Sequence, residues 1–181
     1  MKRQSASNDG FTLLEVLIAV LVLAFGLLAC TTSLVVGMAN NTRNQNDSGG
    51  TLLAQMVIEQ INTLASNGGS ISMTDCNGTV WTVKTDAAAQ PSGAGAEKEP
   101  TFGGIDFTEP KTNIPSGYQM DYVMCASQQA RRATYDVRWN VSRLTAGTNL
   151  ITVSARQTAT ANGARIIYSP PVTLRTIQGP Q

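Results

Sequence analysis

From Val16 to Thr42 the chain carries 27 residues without one formal charge. As a helix rising about 1.5 Å per residue, such a run reaches about 40 Å, more than the roughly 30 Å hydrocarbon core of a bilayer. The run therefore predicts a membrane-spanning helix. It also singles out Glu15, which stands directly before it between Leu14 and Val16. A lone acid inside such a segment costs on the order of 3 kcal/mol on insertion scales and marks a function that needs a partner. Lys2 and Arg3 precede the span, so the positive-inside rule keeps the N-terminus in the cytoplasm and sends the remainder outside.

Beyond the span about 140 residues remain, which suits one domain. The net charge of +1 supplies no global field for nucleic acid or acidic lipid. Charged residues make up 14% of the chain, against about 25% in typical soluble domains. Thr, Ser, Asn, Gly and Ala fill the difference, a composition suited to an extracytoplasmic surface of strands and loops. The chain has no histidine, which excludes a Ser-His-Asp or Cys-His nucleophile and a histidine-based zinc site. No catalytic set, metal or cofactor is implied. Cys30 falls within the apolar run and reads as a small hydrophobe. Cys76 and Cys125 fall in the outer domain, where oxidising conditions permit them to pair.

The chain divides into residues 1–10, an apolar helix over 11–39, a second helical part over 40–66, and a strand-rich domain over 67–181. Asn40 to Gly50 is polar and poor in helix formers, and Gly49-Gly50 predicts a break. Leu53, Met56, Val57, Ile61 and Leu64 recur at helical spacing, ended by Asn67-Gly68-Gly69. Strands are predicted over Thr79–Lys84, Tyr118–Ala126, Thr134–Val141, Leu150–Arg156, Ala164–Tyr168 and Val172–Ile177. Tyr135, Val137, Trp139 and Val141 share one strand face. Asp86 to Thr112 is longer than ordinary connections, so it is either functional or disordered. The fold class is α+β: a long N-terminal helix, its second half packed on an antiparallel sheet.

Gly10-Phe11-Thr12-Leu13-Leu14-Glu15, after a short basic leader and before a long apolar helix, resembles the N-terminus of the type IV prepilin family. Thr51-Leu52-Leu53-Ala54-Gln55-Met56 also resembles, more weakly, the minor pilins of the pilus-modification branch. The resemblance covers about the first forty residues closely. It implies a leader of Met1 to Gly10 cut by a prepilin peptidase, and a methylated amine on Phe11. It also implies that Glu15 matches that amine on a neighbouring subunit during assembly. Its implied partners are other pilin subunits, the peptidase, the inner-membrane assembly platform and, before assembly, membrane lipid. The implied location is the inner membrane in a single pass, then a pilus on the cell surface. A buried carboxylate and a free amine are each costly in a low dielectric and cheaper together, which agrees with that role.

Three other readings stand beside it: a pseudopilin of a type II secretion system, an ordinary secretory signal, and a membrane- or lipid-anchored extracytoplasmic binding domain. The lipid-anchored form rests on Leu27-Leu28-Ala29-Cys30, which resembles a lipoprotein signal. Asp106, Glu109 and Asp121 have neither calcium-loop nor paired-acid spacing and read as solvated surface. Arg131-Arg132 is too small a basic pair for a dedicated nucleic-acid binder. Trp81, Trp139 and Tyr135 read as sheet core.

Overall fold

The computed structural model describes residues 12–89, 91–125, 133–160 and 170–180. The chain forms two compact units, Met1–Thr42 and Arg43–Gln181. The predicted strand at Ala164–Tyr168 and the Arg131-Arg132 pair lie outside the described residues.

One helix, α1, spans Leu13–Asn62. From Leu13 to Met38 its side chains are exposed. Leu13–Asn41, in which an 18-residue window reaches a mean hydropathy of 2.8, is long and apolar enough to cross a membrane. The hydroxyls of Thr31 and Thr32 donate back to the carbonyls of Leu28 (2.9 Å) and Ala29 (2.8 Å). Their polarity is thus satisfied within the helix, as a lipid environment demands.

The predicted break at Gly49-Gly50 is not present: α1 continues through both glycines. Tertiary packing outweighs their poor helix propensity. The Ser48 hydroxyl donates to the Asn44 carbonyl and the Thr51 hydroxyl to that of Asp47, each at 2.8 Å, so both hydroxyls are satisfied within the helix. The glycines serve close packing. A Cβ on Gly49 would overlap the Tyr135 hydroxyl, and Gly50 is buried beside Val172, the Ala155 carbonyl and the Tyr135 ring. Leu53, Ala54, Val57 and Ile61 continue this stripe and are fully buried, whereas Met56 turns outward at 39% exposure.

The stripe packs on a six-stranded sheet. Strands β1 (Ser70–Thr74) and β2 (Val80–Lys84) form a separate antiparallel pair. β1 went unpredicted, although Ile71 and Met73 alternate with serine and threonine. In the main sheet β3 (Ala88–Ala89) and β4 (Ala94–Gly95) are two-residue pieces on β6, β3 running parallel to it. β5 (Gln119–Met124), β6 (Ala133–Thr145), β7 (Thr148–Thr160) and β8 (Val172–Gln178) form an antiparallel meander. β6 and β7 are longer than the alternating segments that predicted them. Register places Val137 opposite Ala155, Trp139 opposite Val153 and Val141 opposite Ile151. All six are buried and share the core with the helix stripe. The Trp139 indole donates to the Lys84 carbonyl at 2.9 Å, so its one polar atom is satisfied there.

The sheet also closes the end of α1. The Gln178 amide donates to the carbonyls of Ile61 (3.2 Å) and Leu64 (2.8 Å), and the Asn149 amide to that of Ser66 (2.7 Å). Ile61 lies in the last turn of α1, where its carbonyl also accepts the Leu64 amide, and Leu64 and Ser66 follow the end of the helix at Asn62.

Gly49→Ala is expected to destabilise the protein by about 1–2 kcal/mol, overpacking against Tyr135 outweighing a helix-propensity gain of about 1 kcal/mol. In a Tyr135→Phe background the same substitution is expected to lose most of its penalty. Denaturation midpoints of the four chains measure that coupling; additive effects would show that the hydroxyl is not the obstacle.

Candidate functional site

α1 begins with a cap. The Thr12 carbonyl accepts the amides of Glu15 (3.0 Å) and Val16 (3.2 Å), and the Thr12 hydroxyl oxygen also accepts the Glu15 amide at 3.3 Å. Thr12-Leu13-Leu14-Glu15 is therefore spaced as a capping box, with Thr12 ahead of the first helical residue and Glu15 in the first turn. The helix thus starts slightly later than Phe11, and the Thr-x-x-Glu spacing is the signal that locates it. Partial positive charge at a helix N-terminus favours an acid in that turn. Gly10 and Phe11 lie outside the described residues.

The family described as the prokaryotic N-terminal methylation motif matches residues 5–31. The match supports a type IV prepilin-like protein. No curated protein and no solved structure matches the chain. A prepilin-type motif indicates a structural protein, with pilin partners and processing by a prepilin peptidase in general. Together with the single N-terminal apolar helix, it is consistent with inner-membrane anchoring. Within this prepilin-like helix Cys30 is exposed, with helical backbone on both sides.

In the outer unit Cys76 and Cys125 form a disulfide, their Cα atoms 5.2 Å apart across a sequence separation of 49. It ties the turn after β1 to the residue following β5, where the Cys76 amide also donates to the Val123 carbonyl at 3.0 Å. Beside it Asp75 organises the β1–β2 turn. One carboxylate oxygen accepts the amides of Asn77 (2.9 Å) and Thr79 (2.8 Å), and the other accepts the Trp81 indole at 3.2 Å. Burial works against ionisation of Asp75, but hydrogen bonds from Thr79, Trp81 and Asn77 hold its carboxyl below the usual range. Burial and the neighbouring Asp86 charge push the Tyr118 hydroxyl up to about 12.

Within Asp86 to Thr112, of which residue 90 is not described, β3 and β4 extend the sheet beside β6, and the remainder reaches over the second face of β6. That face carries Asp136, Arg138, Asn140 and Ser142, all at most 3% exposed. Their side chains take hold of the covering segment. Arg138 donates to the carbonyls of Asp106 (3.3 Å) and Glu109 (2.8 Å), and Asn140 to those of Ser92 (2.9 Å) and Ala96 (2.8 Å). Arg138 also grips Asp136 with two hydrogen bonds, of 3.1 and 3.0 Å. Arg156 and Lys111 approach the same carboxylate at 3.6 and 3.7 Å. The guanidinium groups of Arg138 and Arg156 lie 5.0 and 4.5 Å from the Phe107 ring centroid.

The reading of Glu109 as solvated surface is corrected by this arrangement: it is buried, and its carboxylate accepts the Glu97 amide at 2.8 Å. Asp121 pairs with Lys111, and Asp106 accepts the amide and hydroxyl of Thr108, each at 2.7 Å. Each of the three acids thus has a hydrogen-bond or ion-pair partner within the outer unit. Among the described residues no group of three or more His, Cys, Asp or Glu side chains could hold a metal ion. Tyr135 and Trp139 are core, whereas Trp81 is only partly buried.

Arg138→Met leaves Asp136 buried without its principal partner. The variant is expected to lose about 3 kcal/mol of stability and to raise amide exchange across residues 91–109, measured on the full chain. The disulfide is tested by thiol labelling of unfolded chain: one reactive thiol, Cys30, before reduction and three after. Three before reduction would exclude the bridge, which is expected to stabilise by about 4 kcal/mol on a loop-entropy account.

Proposed function

We propose that the chain is a minor pilin of the pilus-modification branch, a structural subunit of a type IV pilus rather than an enzyme. The observation that carries this reading is Glu15, a formal charge in the first turn of an apolar span that has no charge from Val16 to Thr42, four residues after Phe11. Cleavage between Gly10 and Phe11 by a prepilin peptidase frees an α-amine. N-methylation leaves that amine basic and able to carry positive charge. A subunit displaced along the filament axis brings its amine to the Glu15 of its neighbour, and mutual neutralisation offsets the desolvation of both groups. The subunit rests in the inner membrane, passes through the assembly platform, and reaches the cell surface in the filament.

The mature chain is expected to begin at N-methylated Phe11 by mass spectrometry, with Gly10→Val blocking the cut. A lipid-bearing N-terminus at Cys30 would overturn the reading. Glu15→Ala should still be processed and inserted. In filaments sheared from cells it should fall about tenfold relative to the major pilin, corresponding to about 1.4 kcal/mol of partition free energy. Unchanged amounts would show that the charge pair does not recruit this subunit. Recovery of the wild-type chain in sheared surface filaments also separates a pilus subunit from a type II pseudopilin.

A further inference from the structure

The covering segment builds one wall of a cleft of about 710 Å³, within the size range of small-ligand sites. The outer face of β7 and β8 builds the other wall through Leu150, Thr152 and Arg175. We propose that this cleft binds a neutral glycan of two or three sugar units.

Three observations converge on that chemistry. First, the segment wall is fixed in advance. Arg138 and Asn140 hold its carbonyls from below, the Lys98 ammonium donates to the Ser142 hydroxyl at 2.8 Å, and Arg175 donates to the Phe102 carbonyl. A wall already held in place avoids the ordering cost that weakens binding by mobile loops. Second, the polar lining mixes signs. The carboxylates of Glu97, Glu99 and Glu109 accompany the cations Lys98 and Arg175. Three acids against two bases give an anion no net attraction, whereas sugar hydroxyls both donate and accept and are served by either sign. Third, apolar surface sits beside these groups. Leu150, Pro91 and Pro100 line the cleft. Phe102 lies next to it in the chain, between Thr101 and the lining residue Gly103; its carbonyl accepts a hydrogen bond from the lining residue Arg175, and the residue is 76% exposed. The turn that carries it is closed by the Gly103 amide on the Glu99 carbonyl and the Glu99 amide on the Gly104 carbonyl, each at 2.8 Å. Apolar and aromatic side chains beside hydrogen-bonding groups suit the C–H face of a pyranose ring. The cleft lies wholly in the outer unit and contains none of the residues of the proposed N-terminal processing.

The test uses the full chain in a detergent without a sugar headgroup. Lactose, maltotriose and N,N′-diacetylchitobiose are the probes, read by saturation-transfer NMR and calorimetry, with inorganic phosphate as competitor. Saturable binding of at least one sugar, insensitive to phosphate, is expected. Phe102→Ala and Glu99→Ala should each weaken it by about tenfold. Both residues are exposed, and unchanged thermal midpoints will show that the variants remain folded. Absence of saturable binding by all three sugars overturns the proposal. So does displacement by phosphate, which marks an anion site, and so does affinity unchanged in both variants.

Discussion

The outer unit depends on the burial of one helix stripe against one sheet face. Leu53, Val57 and Ile61 lose all solvent exposure among Val137, Trp139, Val141, Ile151 and Val153. At about 1.5–3 kcal/mol for each fully buried side chain, three helix residues contribute a large share of the 5–15 kcal/mol by which domains are stable. A meander alone would leave that face wet, and a helix alone would leave its stripe wet. Contacts at the two ends of the stripe then set the helix along the sheet. Tyr135 meets the notch at Gly49-Gly50, and Gln178 and Asn149 hold the carbonyls at the other end.

β6 is buried on both faces by different means. Its inner face is apolar and meets side chains of a helix. Its outer face is polar because its cover is irregular backbone, whose carbonyls need donors when removed from water. An apolar outer face would leave those carbonyls unsatisfied at about 1–3 kcal/mol each. Arg138 and Asn140 supply the donors at four points, so a segment with little regular structure acquires one conformation. Asp136 neutralises Arg138 at the centre of that layer, and Lys111 and Arg156 extend the cluster towards solvent. The rigidity of the cleft follows from this polar layer rather than from apolar packing within the segment.

The α+β architecture was legible from periodicity. Tyr135, Val137, Trp139 and Val141 alternate cleanly, and Leu53, Val57 and Ile61 recur every four residues. Met56 satisfied the same loose pattern yet lies outside the stripe, because the buried line runs through Gly50, Leu53, Ala54, Val57 and Ile61. Gly49-Gly50 misled for a physical reason. Two glycines weaken an isolated helix, and their value as a notch depends on Tyr135, which is distant in sequence. The buried outer face of β6 was illegible because Asp136, Arg138, Asn140 and Ser142 spell the same alternation as a solvent-facing strand. Only the path of residues 91–109 distinguishes the two. Glu109 was misread with them, since nothing local shows that its carboxylate will accept a backbone amide twelve residues away.

Glu15 is different in kind, because its local geometry does not account for its charge. Thr12 and Glu15 have capping-box spacing, and a box of that form is served equally by glutamine, whose amide oxygen can accept the same hydrogen bond. Glutamine would avoid the cost of a formal charge in an apolar span. The helix dipole recovers only about 0.3–1 kcal/mol for an exposed acid in the first turn, while placing a charge in a span costs up to roughly 3 kcal/mol at its centre. No cation follows before Arg43, at the far end of the run, about 40 Å along a helix. A carboxylate that its own helix neither needs nor neutralises calls for a positive group from elsewhere, close to the start of the span. In the proposed pilus subunit, the amine freed at Phe11 of a neighbouring copy would have that sign and that depth, and would become available only after cleavage, which would make processing the step that permits assembly.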